Sequence, residues 1–473
     1  MGNGRSLSSD PPASDEPIEV SPLHSKGYTW TRASITQTYI LGRVIGHGHF
    51  STVRLATRDG YNYAVKTLDK RKFSGQQTQI LSELDIVSSI DHPNIIRFYE
   101  VYEDERYVHI VMEYCSGGEL FDRLISQGQF SENYVQKLAR QMLAAITYLH
   151  HHNICHRDIK PENFLFETNN PDAELKIIDF GLSKKLGNEL VTMHTKAGTS
   201  VYMSPEVFEG NYDMSCDVWS FGVTLYIMLS GRMPFPDLGD ALLYDYISSM
   251  RYNLDIPEFK HVSNAAKQLI RHLMSPKSLR YTAEQALKDP WFSQHKPQDL
   301  NPDIVRNLIV HKADSKFKRE AMEFLVHRLS ESQLHRLRDT FETLDESQNG
   351  FVTVTDLERA LHTLELDLPR EEIANIVNRI SYGNTGKINY TEFLIATFSA
   401  LQTTSEEMLW ITFKHFDKDD SGYITATDLR DLGTRDGRTF TDEEVSDVIL
   451  QGTQGAGSQI NFEMFCRLMR ENR

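Results

Sequence analysis

Residues 156–163 read HRDIKPEN, and the interpretation of the whole chain starts from this stretch. It places a carboxylate at Asp158, a cation at Lys160 and a side-chain amide at Asn163. A second carboxylate, Asp179, ends the strand-like run KIID a little further along the chain. Phosphoryl transfer requires a carboxylate that orients the attacking hydroxyl, a cation near the moving phosphate and oxygen ligands for magnesium. The sequence therefore predicts that chemistry, with Asn163 and Asp179 as ligands of Mg²⁺.

A glycine-rich segment upstream suits the phosphates of a nucleotide. Residues 46–53 read GHGHFSTV after a β-like run, and glycines there allow backbone N–H groups to approach phosphate oxygens. Ser51 stands where such loops usually carry a third glycine, so the segment alone is a weak signal. The next strand-like run, YAVK, ends in Lys66, which suits the α- and β-phosphates. Glu83, in the helical stretch that follows, is placed to hold this lysine.

With these motifs in order, residues 39–292 resemble a eukaryotic protein kinase domain. SPE, which ends at Glu206, stands where the activation segment closes, and DVWSFG at residues 217–222 and Arg280 complete the pattern. The resemblance implies an α+β, two-lobed fold and transfer of the ATP γ-phosphate to protein serine or threonine, the choice of hydroxyl resting on Lys160. It also implies that Arg280 is the buried partner of Glu206.

The same resemblance assigns roles to individual residues. Asp158 is the expected catalytic base, and Lys66 and Glu83 are expected to form the ion pair of the active state. Met112 resembles the gatekeeper residue, and residues 113–115 resemble the hinge that meets adenine. The expected catalytic set is Asp158, Lys160, Lys66 and Glu83, and the expected contacts to ATP and its Mg²⁺ are Ile45, Gly46, Gly48, Val53, Ala64, Lys66, Glu113, Cys115, Glu119, Glu162, Asn163 and Asp179.

Glu119 carries an expectation about the substrate. It resembles the residue that contacts ribose and a substrate arginine, so protein substrates are expected to carry a basic residue near the phosphorylated Ser or Thr. The alternative is a solvated carboxylate at the start of a helix, and the sequence leaves both open.

From about residue 331 onward, a unit of helix, polar glycine-containing loop and helix occurs four times. The loops begin at Asp345, Ser381, Asp417 and Thr453, each 36 residues after the last, which indicates repeated supersecondary units. An EF-hand loop places oxygen ligands at positions 1, 3, 5, 7, 9 and 12, with glycine at position 6. Loops one and three fit this pattern. Their expected Ca²⁺ ligands are Asp345, Ser347, Asn349, Phe351 and Asp356 in loop one, and Asp417, Asp419, Ser421, Tyr423 and Asp428 in loop three.

The four loops differ in the ligands that they offer. Loops one and three end in Asp rather than Glu. Asp is shorter and reaches an ion less easily with both oxygens, so weaker affinity for calcium or weaker selectivity for calcium over magnesium is expected. Their position 8, Val352 and Ile424, suits a short β-bridge between paired loops. Loop two keeps its glycine and Glu392 but lacks carboxylates at positions 1, 3 and 5, and loop four, residues 453–464, lacks side-chain carboxylates that could form a cation cage. These two loops are expected to be structural partners.

A kinase-like domain, a basic helical segment and four EF-hand-like repeats in one chain resemble the calcium-dependent protein kinase family over residues 39–473. The resemblance implies that the segment between the domains, the junction, blocks the substrate cleft at rest and that calcium withdraws it. An amphipathic face supports this reading, since apolar residues and a basic head share helical spacing at Val305, Leu308, Ile309 and Lys312. An ordinary amphipathic linker helix is the alternative.

Further alternatives stay open at this level. The chain could be a calcium-sensing kinase-like scaffold without catalysis, or a constitutive kinase whose EF-hands serve only structure or partner binding. Thr195 stands where many family members have an acidic residue, so its phosphorylation, with Arg157 as partner, could control activity without calcium.

Composition limits the classes of partner and compartment. The net charge of −16 argues against a nucleic-acid binder, and residues 331–473, with 26 acidic and 14 basic residues, hold most of the acidity. Four scattered cysteines without a CxxC pair indicate free thiols in a reducing compartment: Cys115, Cys155, Cys216 and Cys466. No apolar run reaches the roughly 18 residues of a membrane span. We therefore expect a cytoplasmic monomer.

The N-terminal residues predict an arm that carries a lipid. Residues 1–38 are rich in Ser, Pro and acidic residues and are expected to be disordered. MGNGRS matches the N-myristoylation pattern at Gly2, and a single acyl chain gives only weak, reversible membrane association. A bare arm is the alternative. The predicted division is an arm over residues 1–38, a kinase domain over 39–293, an autoinhibitory junction over 294–330 and an all-α, calmodulin-like domain with four EF-hand repeats over 331–473.

Overall fold

The fold comes from a computed structural model. It describes residues 30–31, 34–48, 51–73, 77–127, 130–186, 193, 200–236, 240–294, 300–311, 315–326, 328–329, 331–382, 385–398, 405–417, 419–435, 440–455 and 457–470. Residues 30–294 form a domain of two lobes, called here the two-lobed domain. Residues 300–470 form a helical domain, called here the repeat domain.

The N-terminal lobe is built on a six-stranded sheet with the order β1-β5-β6-β4-β3-β2. Neighbouring strands pair antiparallel, except for β1 and β5, which run parallel. One helix, α1, packs on the sheet through Leu84 against Leu68, Val101 and Ile110. The elements are β1 (Trp30–Thr31), β2 (Ile40–His47), β3 (Ser51–Arg58), β4 (Tyr61–Asp69), α1 (Gln77–Val87), β5 (Phe98–Glu103) and β6 (Tyr107–Glu113).

This lobe begins earlier than the sequence predicted. Trp30–Thr31 pairs with β5, and Ile35, in the 3-10 helix Ile35–Gln37, is buried with 2 % of its surface exposed. The prediction of a disordered arm over residues 1–38 is therefore wrong for these positions. Single apolar residues in a polar stretch show no periodicity, yet each can be buried by a sheet formed much later in the chain. Gly2 and its motif lie outside the described residues.

The C-terminal lobe is mainly helical and surrounds α3 (Glu132–His151) and α5 (Ser215–Ser230). The Ser131 side chain caps α3 by accepting the N–H of Tyr134, while Trp219 and Phe221 of α5 are completely buried. Two short strand pairs, β8 with β9 and β10 with β7, position the loops at the cleft between the lobes. The remaining elements are α2 (Leu120–Gln127), β7 (Ile154–Cys155), β8 (Phe164–Phe166), β9 (Leu175–Ile177), β10 (Lys184–Lys185), α4 (Pro205–Phe208), α6 (Asp240–Ser248), α7 (Asn264–Leu273) and α8 (Ala283–Leu287).

The repeat domain consists of helices joined by loops and two short strand pairs. Val352 pairs with Ile388 and Ile424 pairs with Ile460, so the predicted β-bridges between loops one and two and between loops three and four are confirmed. The elements are α9 (Pro302–Val310), α10 (Lys316–Val326), α11 (Glu331–Leu344), β11 (Val352–Thr353), α12 (Val354–Thr363), α13 (Arg370–Ile380), β12 (Lys387–Ile388), α14 (Tyr390–Thr397), α15 (Glu406–Phe416), β13 (Ile424–Thr425), α16 (Ala426–Arg435), α17 (Asp442–Thr453), β14 (Gln459–Ile460) and α18 (Phe462–Arg470).

The junction is part of the repeat domain's core. Val305 and Leu308 of α9 and Phe317 of α10 are completely buried in the same apolar cluster as the helices of the four repeats. Phe317 lies 4.8 Å from Phe416, between ring centroids. In this arrangement the apolar face predicted for the junction is therefore covered by the repeats, and Lys312 lies outside the described residues.

Among the described residues, no helix combines the length and the apolar character that crossing a membrane requires.

Candidate functional site

A lysine on the N-terminal lobe meets two carboxylates at the cleft. Nζ of Lys66, on β4, lies 2.6 Å from Oε1 of Glu83 on α1 and 2.8 Å from Oδ1 of Asp179. Burial alone would lower the pKa of Lys66, but Glu83 and Asp179 outweigh it, and the pKa lies above its usual value. Burial likewise would raise the pKa of Asp179, but the adjacent ammonium lowers it. Lys66 and Asp179 are therefore charged at neutral pH, and the structure brings the predicted ion pair of Lys66 and Glu83 together.

The segment after β7 places two predicted site residues, Lys160 and Asn163, around the carboxylate of Asp158. Nδ2 of Asn163 donates to the backbone oxygen of Asp158 at 2.7 Å and to its Oδ2 at 2.9 Å. Nζ of Lys160 lies 2.8 Å from the same Oδ2. Two fixed donors therefore hold the Asp158 side chain in one orientation, which is the requirement for a base that positions a hydroxyl.

The backbone of this segment is held by Asp217, a residue whose motif was recognised in the sequence but to which no role was assigned. Asp217, at the start of α5, is 1 % exposed and accepts the N–H groups of His156 at 2.9 Å and Arg157 at 2.8 Å. Arg157 has φ +67°, a left-handed conformation that costs energy for a residue with a side chain. Asp217 offsets that cost. Its motif was recognised in the sequence, but no sequence signal linked it to residues 60 positions away.

Asp179 is fixed in a similar way. Its φ is +62°, and the next residue, Phe180, is 2 % exposed and packs edge-on against His156 at 5.2 Å between ring centroids. The strained backbone turns the carboxylate toward the cleft, where the side chain is 46 % exposed. Asn163 and Asp179 thus offer the kinds of oxygen ligand that Mg²⁺ takes.

The residues predicted to contact the nucleotide are contributed by both lobes. The N–H of Gly48 donates to Ser51 O at 3.0 Å, which closes the glycine-rich turn, and a Cβ at Gly48 would lie 2.4 Å from Ser51 Oγ. Ala64 lies opposite Met112 in the sheet. Glu113 forms an ion pair with Lys176, with 3.1 Å between Oε1 and Nζ. The remaining predicted contacts are placed as follows: Ile45 and Gly46 on β2, Val53 on β3, Cys115 after β6, Glu119 before α2 and Glu162 in the 3-10 helix Pro161–Asn163.

The rim of the cleft is acidic near Glu119. Burial raises the pKa of Glu119, and the neighbouring carboxylates of Asp122 and Glu162 raise it further. Three carboxylates that influence one another in this way favour a basic partner. In the C-terminal lobe, Arg280 Nη2 lies 3.1 Å from Glu206 Oε2, so the predicted buried pair is confirmed. Thr195 lies outside the described residues.

Loop one has the internal geometry of a cation loop. Asp345 Oδ2 accepts the N–H of Gly350 at 2.7 Å, and its Oδ1 accepts Ser347 Oγ at 3.2 Å and the N–H of Asn349 at 3.1 Å. Burial raises the pKa of Asp345 to about 6, and Asp356 contributes to the same shift. A divalent cation supplies the positive charge that such buried carboxylates lack, so this donor set fits Ca²⁺.

Loop three repeats this geometry with more of its surface exposed. Asp417 accepts the N–H of Ser421 at 2.9 Å and of Gly422 at 3.0 Å, as Asp345 does in loop one. Asp428 accepts the N–H of Thr425 at 2.8 Å, at the beginning of α16. Its carboxylates at positions 1, 3 and 12 also fit Ca²⁺.

Loops two and four are closed by their own hydrogen bonds. In loop two, Glu392 accepts the N–H groups of Tyr382 and Asn389, and Ser381 Oγ lies 2.7 Å from Thr385 Oγ1. In loop four, Thr453 Oγ1 donates to Gly457 O at 3.2 Å. These contacts hold the loops in shape without a set of carboxylates.

The repeat domain lies against the side of the two-lobed domain through a buried ion pair. Nη2 of Arg338, on α11, is 3.1 Å from Oε2 of Glu167, and the Arg338 side chain is 3 % exposed. Nη1 lies 4.0 Å from Glu174. This pair links segments 171 residues apart, and no pattern in the sequence indicated it.

Comparison with known proteins places these sites in a family context. A protein kinase domain matches residues 39–292, and an EF-hand domain pair matches residues 335–397. The chain is 34 % identical to calcium-dependent protein kinase 3 of Plasmodium berghei (strain Anka) over 440 residues, which is 90 % of this chain and 79 % of that protein. It is 33 % identical to calcium-dependent protein kinase 19 of Oryza sativa subsp. japonica, over 92 % of this chain and 83 % of the relative. It is 34 % identical to calcium-dependent protein kinase 12 of Arabidopsis thaliana, over 93 % and 91 %.

Proposed function

The chain belongs to the calcium-dependent protein kinase family, and from this premise we propose how its own residues perform and regulate the reaction. It is a calcium-regulated serine/threonine protein kinase that uses ATP, Mg²⁺ and Ca²⁺. The observation that carries the residue assignment is the cluster of Lys66, Glu83 and Asp179, together with the fixed orientation of the Asp158 carboxylate. A scaffold without catalysis would have no reason to keep these charged groups in place.

In the proposed reaction, Asp158 orients the Ser or Thr hydroxyl of the protein substrate and accepts its proton. Lys160 lies beside it and neutralises charge on the transferred phosphate, and Lys66 holds the α- and β-phosphates. Asn163 and Asp179 would hold Mg²⁺, which neutralises charge on the phosphates when it is bound. The remaining nucleotide contacts are those predicted from the sequence.

We propose that Ca²⁺ binds loops one and three. The support is their carboxylates, Asp345 and Asp356 in loop one and Asp417, Asp419 and Asp428 in loop three, together with the matched hydrogen bonds of positions 1 and 6. The hydrogen bonds that close loops two and four support a structural role for them.

We propose that the junction inhibits the kinase at rest. Its apolar face, represented by Val305 and Leu308, is completely buried in the repeat domain in the arrangement described here. The same face cannot lie in the repeat domain and in the substrate cleft at once, so a ligand that favours one placement opposes the other. Cytoplasmic residence, a monomeric state, acylation of Gly2 with weak membrane association, and control through Thr195 remain proposals from the sequence.

Glu119 is proposed to select substrates with a basic residue near the phosphorylated position. The supporting observation is the acidic rim that it forms with Asp122 and Glu162. An ion pair at a cleft rim contributes to preference rather than to strict selection.

The proposed function is tested by phosphate transfer from labelled ATP to a panel of peptides, with calcium or with EGTA. We expect transfer to Ser and Thr peptides only with calcium, and faster transfer to peptides that carry Arg or Lys before the acceptor. Equal rates in EGTA would contradict calcium control, and equal rates across the panel would contradict the role of Glu119.

A further inference from the structure

Loop one touches the two-lobed domain directly. The Phe351 ring, at position 7 of the loop, lies 5.4 Å from the ring of His152 and 6.3 Å from that of Tyr148, between centroids. At position 6, a Cβ on Gly350 would lie 2.1 Å from the Tyr148 ring. Tyr148 belongs to α3, in the main core of the C-terminal lobe. The backbone of the calcium loop is therefore packed against the kinase core without an intervening layer.

Loop three offers the matching positions without such a contact. Gly422 has φ +84°, close to the +82° of Gly350, yet among the residues that the structure describes a Cβ there would meet no atom within 4 Å. Tyr423, at position 7, is 41 % exposed. The two loops share ligand chemistry and local conformation, so their difference lies in what each one touches.

Hydrogen bonds extend the contact at loop one to the segment that follows α1. Tyr148 accepts the N–H of Asp91 at 2.8 Å, and the Asp91 carboxylate accepts the N–H of Thr391 at 2.9 Å and its hydroxyl at 3.0 Å. Thr391 is in the first turn of α14, so Asp91 caps a helix of the other domain. Asp91 follows α1, the helix that carries Glu83. The first pair of repeats is thus hydrogen-bonded to the segment that directly follows α1.

We propose that loop one is a shared site, in which calcium and the two-lobed domain bind cooperatively through Phe351, a coupling that Tyr423 at the matching position of loop three does not provide. This inference rests on the proposed binding of Ca²⁺ by loop one. Position 7 gives its backbone oxygen to the ion, so ordering of Phe351 serves the ion through its backbone and the kinase core through its ring. Coupling of this kind is reciprocal, and the docked two-lobed domain therefore raises the calcium affinity of loop one.

The experiment measures calcium binding by the full chain with changes on each side of the contact. Phe351→Ala and His152→Ala are expected to weaken one of two calcium sites at least about fivefold, the lower end of typical coupling. Tyr423→Ala, at the matching position of loop three, is expected to leave both affinities within about twofold of those of the parent chain. Since His152 is not in the loop, its effect cannot arise from altered ligands. His152→Phe, which keeps an aromatic ring, is expected to bind calcium as the parent does.

Asp345→Asn identifies the affected site and separates two kinds of failure. Loss of one site in Asp345→Asn shows that loop one binds calcium, and unchanged affinities in both Phe351→Ala and His152→Ala would then overturn the shared site alone. Weakening by Phe351→Ala without weakening by His152→Ala would overturn it too, because the coupling would not reach the two-lobed domain. If Asp345→Asn leaves two sites intact, the proposed calcium binding by loop one is itself wrong. Retained ATP binding in each variant shows that the two-lobed domain is folded.

Discussion

Arg338 of the repeat domain is buried against Glu167 of the two-lobed domain, with Nη2 3.1 Å from Oε2. Burial would lower the pKa of Arg338, but the carboxylates of Glu167 and Glu174 contribute to a value well above the ordinary one. The same arginine contributes to lowering the pKa of Glu167 to about 2, against the effect of burial. Both partners are therefore charged, and the two domains are joined by an ion pair that water reaches poorly.

Arg338→Ala should loosen this join. Removing one partner of a buried ion pair costs about 3–5 kcal/mol when the other charge is left uncompensated. We expect a smaller cost here, because the Lys176 ammonium still stabilises the Glu167 carboxylate. We expect a lower midpoint of thermal unfolding and weaker stimulation by calcium. Arg336→Ala, on the exposed side of the same helix, is the matched control and should change neither. Equal behaviour of the two variants would show that the pair does not hold the domains together.

Asp158→Asn should reduce phosphate transfer by about 10²–10⁴-fold, the usual loss when a positioned base is removed. Nucleotide affinity should change little, because Asp158 is proposed to orient the substrate hydroxyl rather than to hold the nucleotide. Single-turnover transfer and fluorescent-nucleotide binding measure the two effects separately. Near-normal turnover would remove Asp158 from the mechanism.

Asp417→Ala should abolish one calcium site and most calcium stimulation, whereas Ser381→Ala should leave both almost unchanged. Loop three has carboxylates to lose, but in loop two Glu392 already binds the loop's own N–H groups. Calorimetry on the intact chain should find about two specific sites, as the ligand count requires. Four comparable sites would contradict the structural role given to loops two and four.

The raised pKa of Glu342 predicts how the free energy of unfolding depends on pH. Burial raises its pKa to about 8, and Glu174 and Asp339 add to this despite the opposing charge of Arg338. Because the folded protein holds this proton more tightly than the unfolded chain, stability falls as pH rises from about 4.5, the ordinary pKa, to about 8. Each pKa unit corresponds to about 1.4 kcal/mol.

Glu342→Gln should remove this penalty, and so raise the unfolding midpoint at pH 8 relative to the parent but not at pH 5. The exposed Glu371→Gln is the control and should follow the parent at both values. Parallel curves for the parent and Glu342→Gln would show that Glu342 is charged in the folded protein.

Truncation should separate inhibition by the junction from support by the repeats. Stopping at Ser293 removes both, and stopping at Leu329 keeps the junction alone. We expect neither product to respond to calcium, and the longer one to be less active. A shift from 1:99 to 99:1 needs about 5.5 kcal/mol, which two sites supply if each binds about 100-fold tighter in the open form. If the two products are equally active, the junction is not an inhibitor.

The sequence predicted what is local or periodic. Asp158, Lys160 and Asn163 lie within one short segment, so their meeting needs only a turn, and the loop bridge between Val352 and Ile388 followed from position 8 of each repeat. The family resemblance supplied longer links, such as Arg280 with Glu206.

The sequence could not predict contacts that depend on how domains pack. Arg338 and Asp91 look like ordinary surface residues in the sequence, because their partners are distant and no pattern records the pairing. Phe351 was predicted as a loop ligand, but nothing in the sequence indicated that its ring packs on the other domain. The early start of the fold at Trp30 was missed for the same reason, since its partner in the sheet, Val101, is distant in the sequence.

Loops one and three, which have carboxylate ligands, are each paired with a loop that is closed by its own hydrogen bonds. This pairing limits how steeply the kinase activity can depend on free calcium. With two ions bound per chain, the Hill coefficient cannot exceed two, so activity rises from a tenth to nine tenths of its maximum over at least about a ninefold range of free calcium. Four competent loops would permit about a threefold range. The kinase activity would therefore follow the amplitude of a calcium signal, with a partial response to a partial rise in free calcium rather than an all-or-none response.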